Sequence, residues 1–152
     1  ELAEVWTRHA SRNRTLTAYY EAKEPLVDFG LTVPKSIKDH YTPLGWARKA
    51  VDMLAADGID AEIINIHTIK PIDEDIIVET AQKTGRVFTV EEHSIIGGLG
   101  SAVAEVLAEK CPTKLTRIGV RDTFGESGPA KELLHKYELD AEGIYKQIKA
   151  AL

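Results

Sequence analysis

The strongest constraint on this chain is a rhythm in its second half. Short apolar runs of strand length alternate with helical periodicity, and glycine or proline stands near most of the changes. Residues 61–66 (AEIINI), 86–90 (RVFTV) and 115–120 (LTRIGV) are the strand-length runs. The Ile-rich run 61–66 suits a strand covered on both faces. Ahead of the first run, Leu44, Ala47, Val51, Leu54 and Ala55 recur every three or four residues, which predicts an amphipathic helix that Gly58 stops. A second helix is expected from an Asp73 cap through Ile76, Ile77 and Ala81 to Gly85, with Glu74 and Asp75 beside its positive end. A third carries Ala102, Val103, Val106 and Leu107 and is broken by Pro112. Pro129 suits the first turn of a short helix through Leu133 and Leu134. Asp140 is placed to cap the last helix, with Ile144, Ile148 and Leu152 on one face. Strands and helices alternating at this spacing imply βαβ units with right-handed crossovers, hence an α/β fold with a mainly parallel sheet between helix layers.

The first forty residues lack this regularity. Residues 1–9 suit a helix with Leu2, Val5 and Trp6 on one side, and 15–20 (TLTAYY) and 26–33 (LVDFGLTV) have the composition of edge strands. At 152 residues, with no repeat, low-complexity tract or linker, the chain is expected to form one domain. Its 19 basic and 24 acidic residues give a net charge of −5, the wrong sign for a nucleic-acid binder. No apolar run approaches the roughly 20 residues needed to span a bilayer. The acidic opening Glu1-Leu2-Ala3-Glu4 is unlike a secretory signal or an Arg-rich transit peptide, and the missing initiator Met points to a processed or excised piece. Cys111, the single cysteine, has no internal disulfide partner, which fits a reducing compartment and a cytoplasmic location.

Two segments are candidates for chemistry. In Val90-Glu91-Glu92-His93-Ser94-Ile95-Ile96-Gly97-Gly98-Leu99-Gly100 a strand gives way to a helix, where open α/β sheets gather ligands. Gly97, Gly98 and Gly100 permit close backbone approach, and a helix N-terminus attracts anions. The segment is neither a dinucleotide fingerprint, since the third glycine is absent, nor a Walker loop, since no Gly-Lys-Ser/Thr follows. Glu91, Glu92 and His93 are of the right types for acid–base work or metal binding, yet Glu92 and His93 are neighbours on a strand and point to opposite faces. The plainer expectation is that one acid bonds the glycine turn while the others meet solvent or a neighbouring subunit. The second segment is Arg121-Asp122-Thr123-Phe124-Gly125-Glu126-Ser127-Gly128, at the same sheet edge. Arg121 is placed to pair with an acid of the first segment. The plainer expectation there is a tight loop with Phe124 as packing anchor and Ser127 as helix cap. His67, Lys70 and Cys111 are read as structural, and no complete catalytic set or metal site is visible.

These segments resemble a known family. Ile66-His67-Thr68-Ile69-Lys70-Pro71-Ile72-Asp73, Val90-Glu91-Glu92-His93 with Ile96-Gly97-Gly98-Leu99-Gly100-Ser101-Ala102-Val103-Ala104-Glu105, Arg117-Ile118-Gly119-Val120 and Phe124-Gly125-Glu126-Ser127-Gly128 look like the C-terminal domain of transketolase. The likeness is closest to the short and split forms and covers residues 44–152, leaving 1–43 as an atypical N-terminal segment. Related domains occur in deoxyxylulose-phosphate synthase and in 2-oxoacid dehydrogenase beta chains, but the GGLG and FGESG segments favour transketolase. The resemblance implies a three-layer α/β/α domain with a five-stranded, mostly parallel sheet and one antiparallel edge strand. It also implies that thiamine diphosphate and a divalent metal are held by other domains, and that this domain serves architecture and the homodimer. No catalytic residue carries over. Glu91, Glu92, His93, Gly97, Gly98, Gly100, Arg121, Phe124, Glu126 and Ser127 then become loop or interface candidates. Ahead of the first helix the family has a strand ending in a small glycine loop, whereas this chain has Leu31-Thr32-Val33-Pro34-Lys35-Ser36-Ile37-Lys38-Asp39-His40.

The expected function is therefore a structural and assembly domain of a transketolase-like enzyme, inactive alone, whose parent reaction moves a two-carbon ketol unit between sugar phosphates. Its expected partners are a second copy or a cofactor-binding subunit, with no nucleic acid and no membrane. The alternative is an independent module that binds phosphate or a small anion at the Gly97–Gly100 helix N-terminus.

Overall fold

Capping chemistry sets the helix boundaries in the computed structural model, which describes residues 43–66 and 68–152. Helix α1 (Pro43–Ala56) closes where the amides of Asp57 and Ile59 fold back onto the Leu54 carbonyl, both at 3.0 Å. Helix α2 (Glu74–Thr84) starts at Asp73, whose Oδ1 accepts from the Ile76 amide at 3.2 Å. It ends at Gly85, which takes a left-handed conformation with φ 68°. Strand β1 (Arg86–Ser94) follows, then α3 (Leu99–Lys110) and strand β2 (Lys114–Val120). Two helices complete the order, α4 (Ala130–Lys136) and α5 (Ala141–Ala151), the latter capped by Asp140 through the Gly143 amide at 2.8 Å.

β1 and β2 lie parallel, with Arg86 opposite Lys114 and Val90 opposite Ile118. Alternation sends their side chains into two separate apolar clusters. On one face Phe88, Val90, Ile118 and Val120 meet Ala50 and Leu54 of α1, Leu134 of α4 and Ile144 and Ile148 of α5. On the other, Val87 and Leu115 meet Ile76, Ile77 and Ala81 of α2 and Val103, Val106 and Leu107 of α3. Helices therefore cover both sides of a parallel pair, the α/β layering expected.

The C-termini of α1 and α5 lie at the sheet's starting edge. Arg86 Nη1 and Lys114 Nζ, the first residues of the two strands, both donate to the Ala151 carbonyl, at 2.7 and 2.8 Å. They place positive charge at the negative end of α5. Nearby, Asp57 accepts from the Tyr145 hydroxyl at 2.6 Å and from Lys149 at 2.8 Å, tying the end of α1 to the last turns of α5. Those two bonds hold the Asp57 carboxyl below its ordinary range and raise the Lys149 ammonium. Since α1 ends at this edge, it begins, at Pro43, at the opposite edge, where both strands finish.

Two expectations change. Residues 61–66 form no strand; Ile64 and Ile66 instead pack against the α2–α3 cluster. A strand needs a hydrogen-bonded neighbour, and among the described residues β1 pairs with β2 alone. The described part of the expected five-stranded sheet is thus two strands. Pro129 stands at the N-cap of α4 and not inside its first turn. The helix expected over 1–9 and the strands expected over 15–20 and 26–33 lie outside the described residues.

Ile118 and Ile144 are fully buried in the α1–α4–α5 cluster. Ile118→Ala is expected to cost about 2–5 kcal/mol, read from the urea midpoint. A cost below that of an exposed control such as Leu152→Ala would refute this account of the core.

Asp140 generates a prediction in acid. Burial pushes its carboxyl up, but bonds from His135 Nδ1 at 2.6 Å and from the Gly143 amide outweigh this and hold it below the ordinary 3.8. The folded state thus binds this proton more weakly than the unfolded state. The stabilisation is complete above the ordinary value and is lost as pH falls through the lowered one. Asp140→Asn is expected to be less stable than the parent at pH 7, with the difference shrinking below pH 3.8 in paired urea titrations.

Candidate functional site

β1 does not stop at Val90. It continues to Ser94, but Val90 faces Ile118 while Ser94 faces Val120, so four steps on one strand match two on the other. The extra length forms a bulge over Glu91, Glu92 and His93, and a bulge re-aims side chains. Gly119 makes room for it: a Cβ there would stand 2.8 Å from the His93 carbonyl and 3.0 Å from Glu91 Cγ.

The bulge turns Glu91 inward, and the residue is only 7% exposed. Its Oε2 accepts from the Leu99 amide at 2.8 Å and its Oε1 from the Gly100 amide at 2.9 Å. These are first-turn amides of α3, which have no partner within the helix. Gly98, the N-cap, has no side chain to offer them, so the cap comes from the neighbouring strand. A Cβ at Gly98 would lie 2.0 Å from Glu91 Oε2, and one at Gly100 would lie 2.8 Å from Thr89 Oγ1 and the Arg117 stem. The glycines thus admit a carboxylate belonging to the protein itself.

The rest of the turn is wired. Ser94 Oγ accepts from the Ile96 amide at 3.1 Å, and Ser101 Oγ accepts from the Gly97 amide at 2.9 Å and donates to the Ile95 carbonyl at 3.2 Å. Arg117 Nη1 donates to that same carbonyl at 2.8 Å. Ile96 stands outside this frame, 59% exposed.

The other candidate residues divide clearly. Glu92 and His93 are exposed, with His93 Nδ1 3.0 Å from the Ser94 carbonyl. Arg121 is exposed and forms no ion pair with Glu91, Glu92 or His93. Phe124 is no packing anchor: it is 98% exposed, because the chain from 121 to 132 runs over the surface. Ser127 is not the α4 cap, since Pro129 holds that position. Glu126 binds Lys136 through both carboxylate oxygens, at 2.7 and 2.6 Å, which raises the Lys136 ammonium and pins the loop to α4. Cys111 Sγ lies 3.5 Å from Thr113 Oγ1, Lys70 is exposed, and His67 lies outside the described residues. Among the described residues no three His, Cys, Asp or Glu side chains gather as a metal would need. Gly119, Arg117, Ser101 and Ile96 stand in the motifs of the sequence but were assigned no role from it. A glycine inside a strand pattern and an arginine inside an apolar run were the available signals.

The family model of the transketolase C-terminal domain matches residues 42–144. The chain belongs to that family. Over 103 residues, 67% of this chain, it is 54% identical to a putative transketolase C-terminal section from Methanocaldococcus jannaschii, covering 32% of that protein. Over 97 residues, 64% of this chain, it is 52% identical to a 6-deoxy-6-sulfo-D-fructose transketolase subunit from Clostridium sp. (strain MSTE9), covering 30% of it. A solved split gene transketolase, described as an inactive beta4 tetramer, superposes with a TM-score of 0.68 at 47% identity, over 72% of this chain and 36% of that one. The chain spans about a third of the length of these relatives.

The Glu91 contact yields a coupled prediction. Glu91→Ala leaves two α3 amides without a protein acceptor and is expected to cost about 1–3 kcal/mol. Gly98→Ala, whose φ of −94° alanine tolerates, is expected to destabilise first by displacing that carboxylate and second by crowding the Ser94 carbonyl, 2.9 Å from the added Cβ. The two should therefore be less than additive in a double-mutant cycle followed by urea unfolding. Strict additivity would mean that Gly98 is required for a reason unrelated to Glu91.

Proposed function

We propose that this chain serves a transketolase-type enzyme as an architectural and assembly domain, joined to the portion that holds thiamine diphosphate and a divalent metal. The observation that carries this reading is the commitment of Glu91. Both of its oxygens are engaged in holding α3. Glu92 and His93 are exposed on the bulge, and His93 Nδ1 lies against the Ser94 carbonyl rather than a buried acid.

The described residues do not fit thiamine diphosphate. The helix N-terminus that would suit its pyrophosphate already faces a carboxylate, which repels a second anion. The same contact argues against an independent anion-binding module. In this reading the parent reaction is two-carbon ketol transfer between sugar phosphates, and the choice of sugar rests with the cofactor-bearing portion. The working assembly contains cofactor-bearing subunits and two copies of this domain, and it acts in the cytoplasm. No helix among the described residues is long and apolar enough to cross a membrane.

The test is complementation. The purified chain, supplied with thiamine diphosphate and magnesium, is expected to transfer no ketol unit. Mixed with the cofactor-bearing subunit of a split transketolase, it is expected to restore transfer. Turnover by the chain alone, or no restoration at any ratio, would refute the reading. Sulfate and phosphate are expected to leave its melting temperature without a saturable shift.

A further inference from the structure

Residues 61–66 cross the fold in the same direction as β1 without bonding to it. They follow α1, which ends at the sheet's starting edge, and they lead to α2, whose end at Gly85 passes straight into β1. The run therefore travels from the starting edge to the edge where the strands finish. Glu62, near its beginning, accepts from Lys83 Nζ in the last turn of α2 at 3.0 Å, which agrees with that direction. Ile64 and Ile66 pack into the same cluster as Val87 of β1, so the run lies in the layer of the sheet. Yet among the described residues β1 bonds to β2 alone. Two parallel segments in one layer that do not bond leave the open edge of β1 between them.

That edge is roofed, unlike an exposed sheet margin. On one face α5 packs against β2 and α1 against β1; on the other α3 touches both strands and α2 touches β1. α1 and α2 thus stand toward the open side of β1, one on each face. Both coverings are apolar, with Ala50 and Leu54 on α1 and Ile76, Ile77 and Ala81 on α2. Across the slot, Asn65 keeps its Nδ2 out of solvent with no acceptor among the described residues. A carbonyl on a strand passing between would remove that cost. From this arrangement we infer that the edge of β1 is a strand-accepting slot, filled by an uncharged apolar segment of another polypeptide running parallel to β1. A strand added there gains a ladder of backbone bonds, and apolar side chains on both of its faces supply specificity. A charge on either face would be buried without a partner. The runs ahead of α1 do not meet that requirement in composition: 15–20 carries Thr15 and Thr17, and 26–33 carries Asp28 and Gly30. The occupant therefore comes from another chain.

The test uses the full chain and a synthetic peptide of alternating valine and isoleucine, ended by lysines for solubility, with hydrogen exchange followed residue by residue. Successive amides of a parallel strand point to opposite sides, so alternate amides of β1 face β2 and the slot. The peptide is expected to slow exchange of the slot-facing set about tenfold at saturation and to leave the β2-bonded set unchanged. Methylating alternate peptide nitrogens removes ladder donors but keeps every side chain, and is expected to weaken binding at least about tenfold. An aspartate at the centre of the peptide is expected to abolish binding. A methylated peptide that binds as well as the unmodified one overturns the slot, because the contact is then apolar adhesion alone. A slot-facing set that the unmodified peptide leaves unchanged overturns it as well. In that case amides already slow without peptide assign the edge to the residues ahead of α1, and slowing that grows with protein concentration assigns it to a second copy. None of these outcomes bears on ketol transfer, so the proposed function stands or falls by complementation alone.

Discussion

Two backbone amides at the start of α3 converge on one buried carboxylate, and the architecture of the strand ends is organised around that contact. A helix N-terminus carries partial positive charge and first-turn amides that the helix cannot satisfy. Here the acceptor comes from Glu91 on the adjacent strand. Bringing it there requires a bulge in β1, a glycine opposite the bulge at Gly119, and glycines at Gly98 and Gly100 where the carboxylate and its neighbours approach. Arg117 and Ser101 then secure the turn that leads into the helix. What reads in sequence as a ligand loop is a covalently supplied anion already in its cradle.

This explains which parts of the molecule were legible in its sequence. Boundaries set by one residue's local chemistry were readable: Asp73 and Gly85 bracket α2, and Asp140 caps α5. The strand-length runs 86–90 and 115–120, set between helical periodicities, also gave the two strands and their helix layers. Features that depend on a distant partner were less readable. Residues 61–66 have strand composition, yet composition cannot supply a neighbouring strand. The bulge arises from mismatched advance along two strands, which neither strand shows alone. For the site, the idea that one acid would bond the glycine turn matches Glu91. Phe124 was misjudged because an aromatic residue in a short loop suggests packing until its exposure is known.

The division between inward and outward groups also bears on how such a domain can diverge. Substitutions at Glu91, Gly98, Gly100 or Gly119 disturb the frame that carries the turns. Substitutions at Glu92, Ile96 or Phe124 leave that frame intact and alter only what it displays. One scaffold can therefore present different surfaces to different neighbours.

The paired cations at the other edge have a consequence for the order of events during synthesis. Arg86 and Lys114 both wait for the carbonyl of Ala151, separated from it by 65 and 37 positions. Closing such separations costs loop entropy that nearby contacts do not. While these residues are still emerging from the ribosome, the two strands can pair and α2 and α3 can settle on one face. The opposite face has only α1 to cover it until α4 and α5 have emerged, so the nascent chain passes through a stage with part of its interior exposed to the solvent and to chaperones.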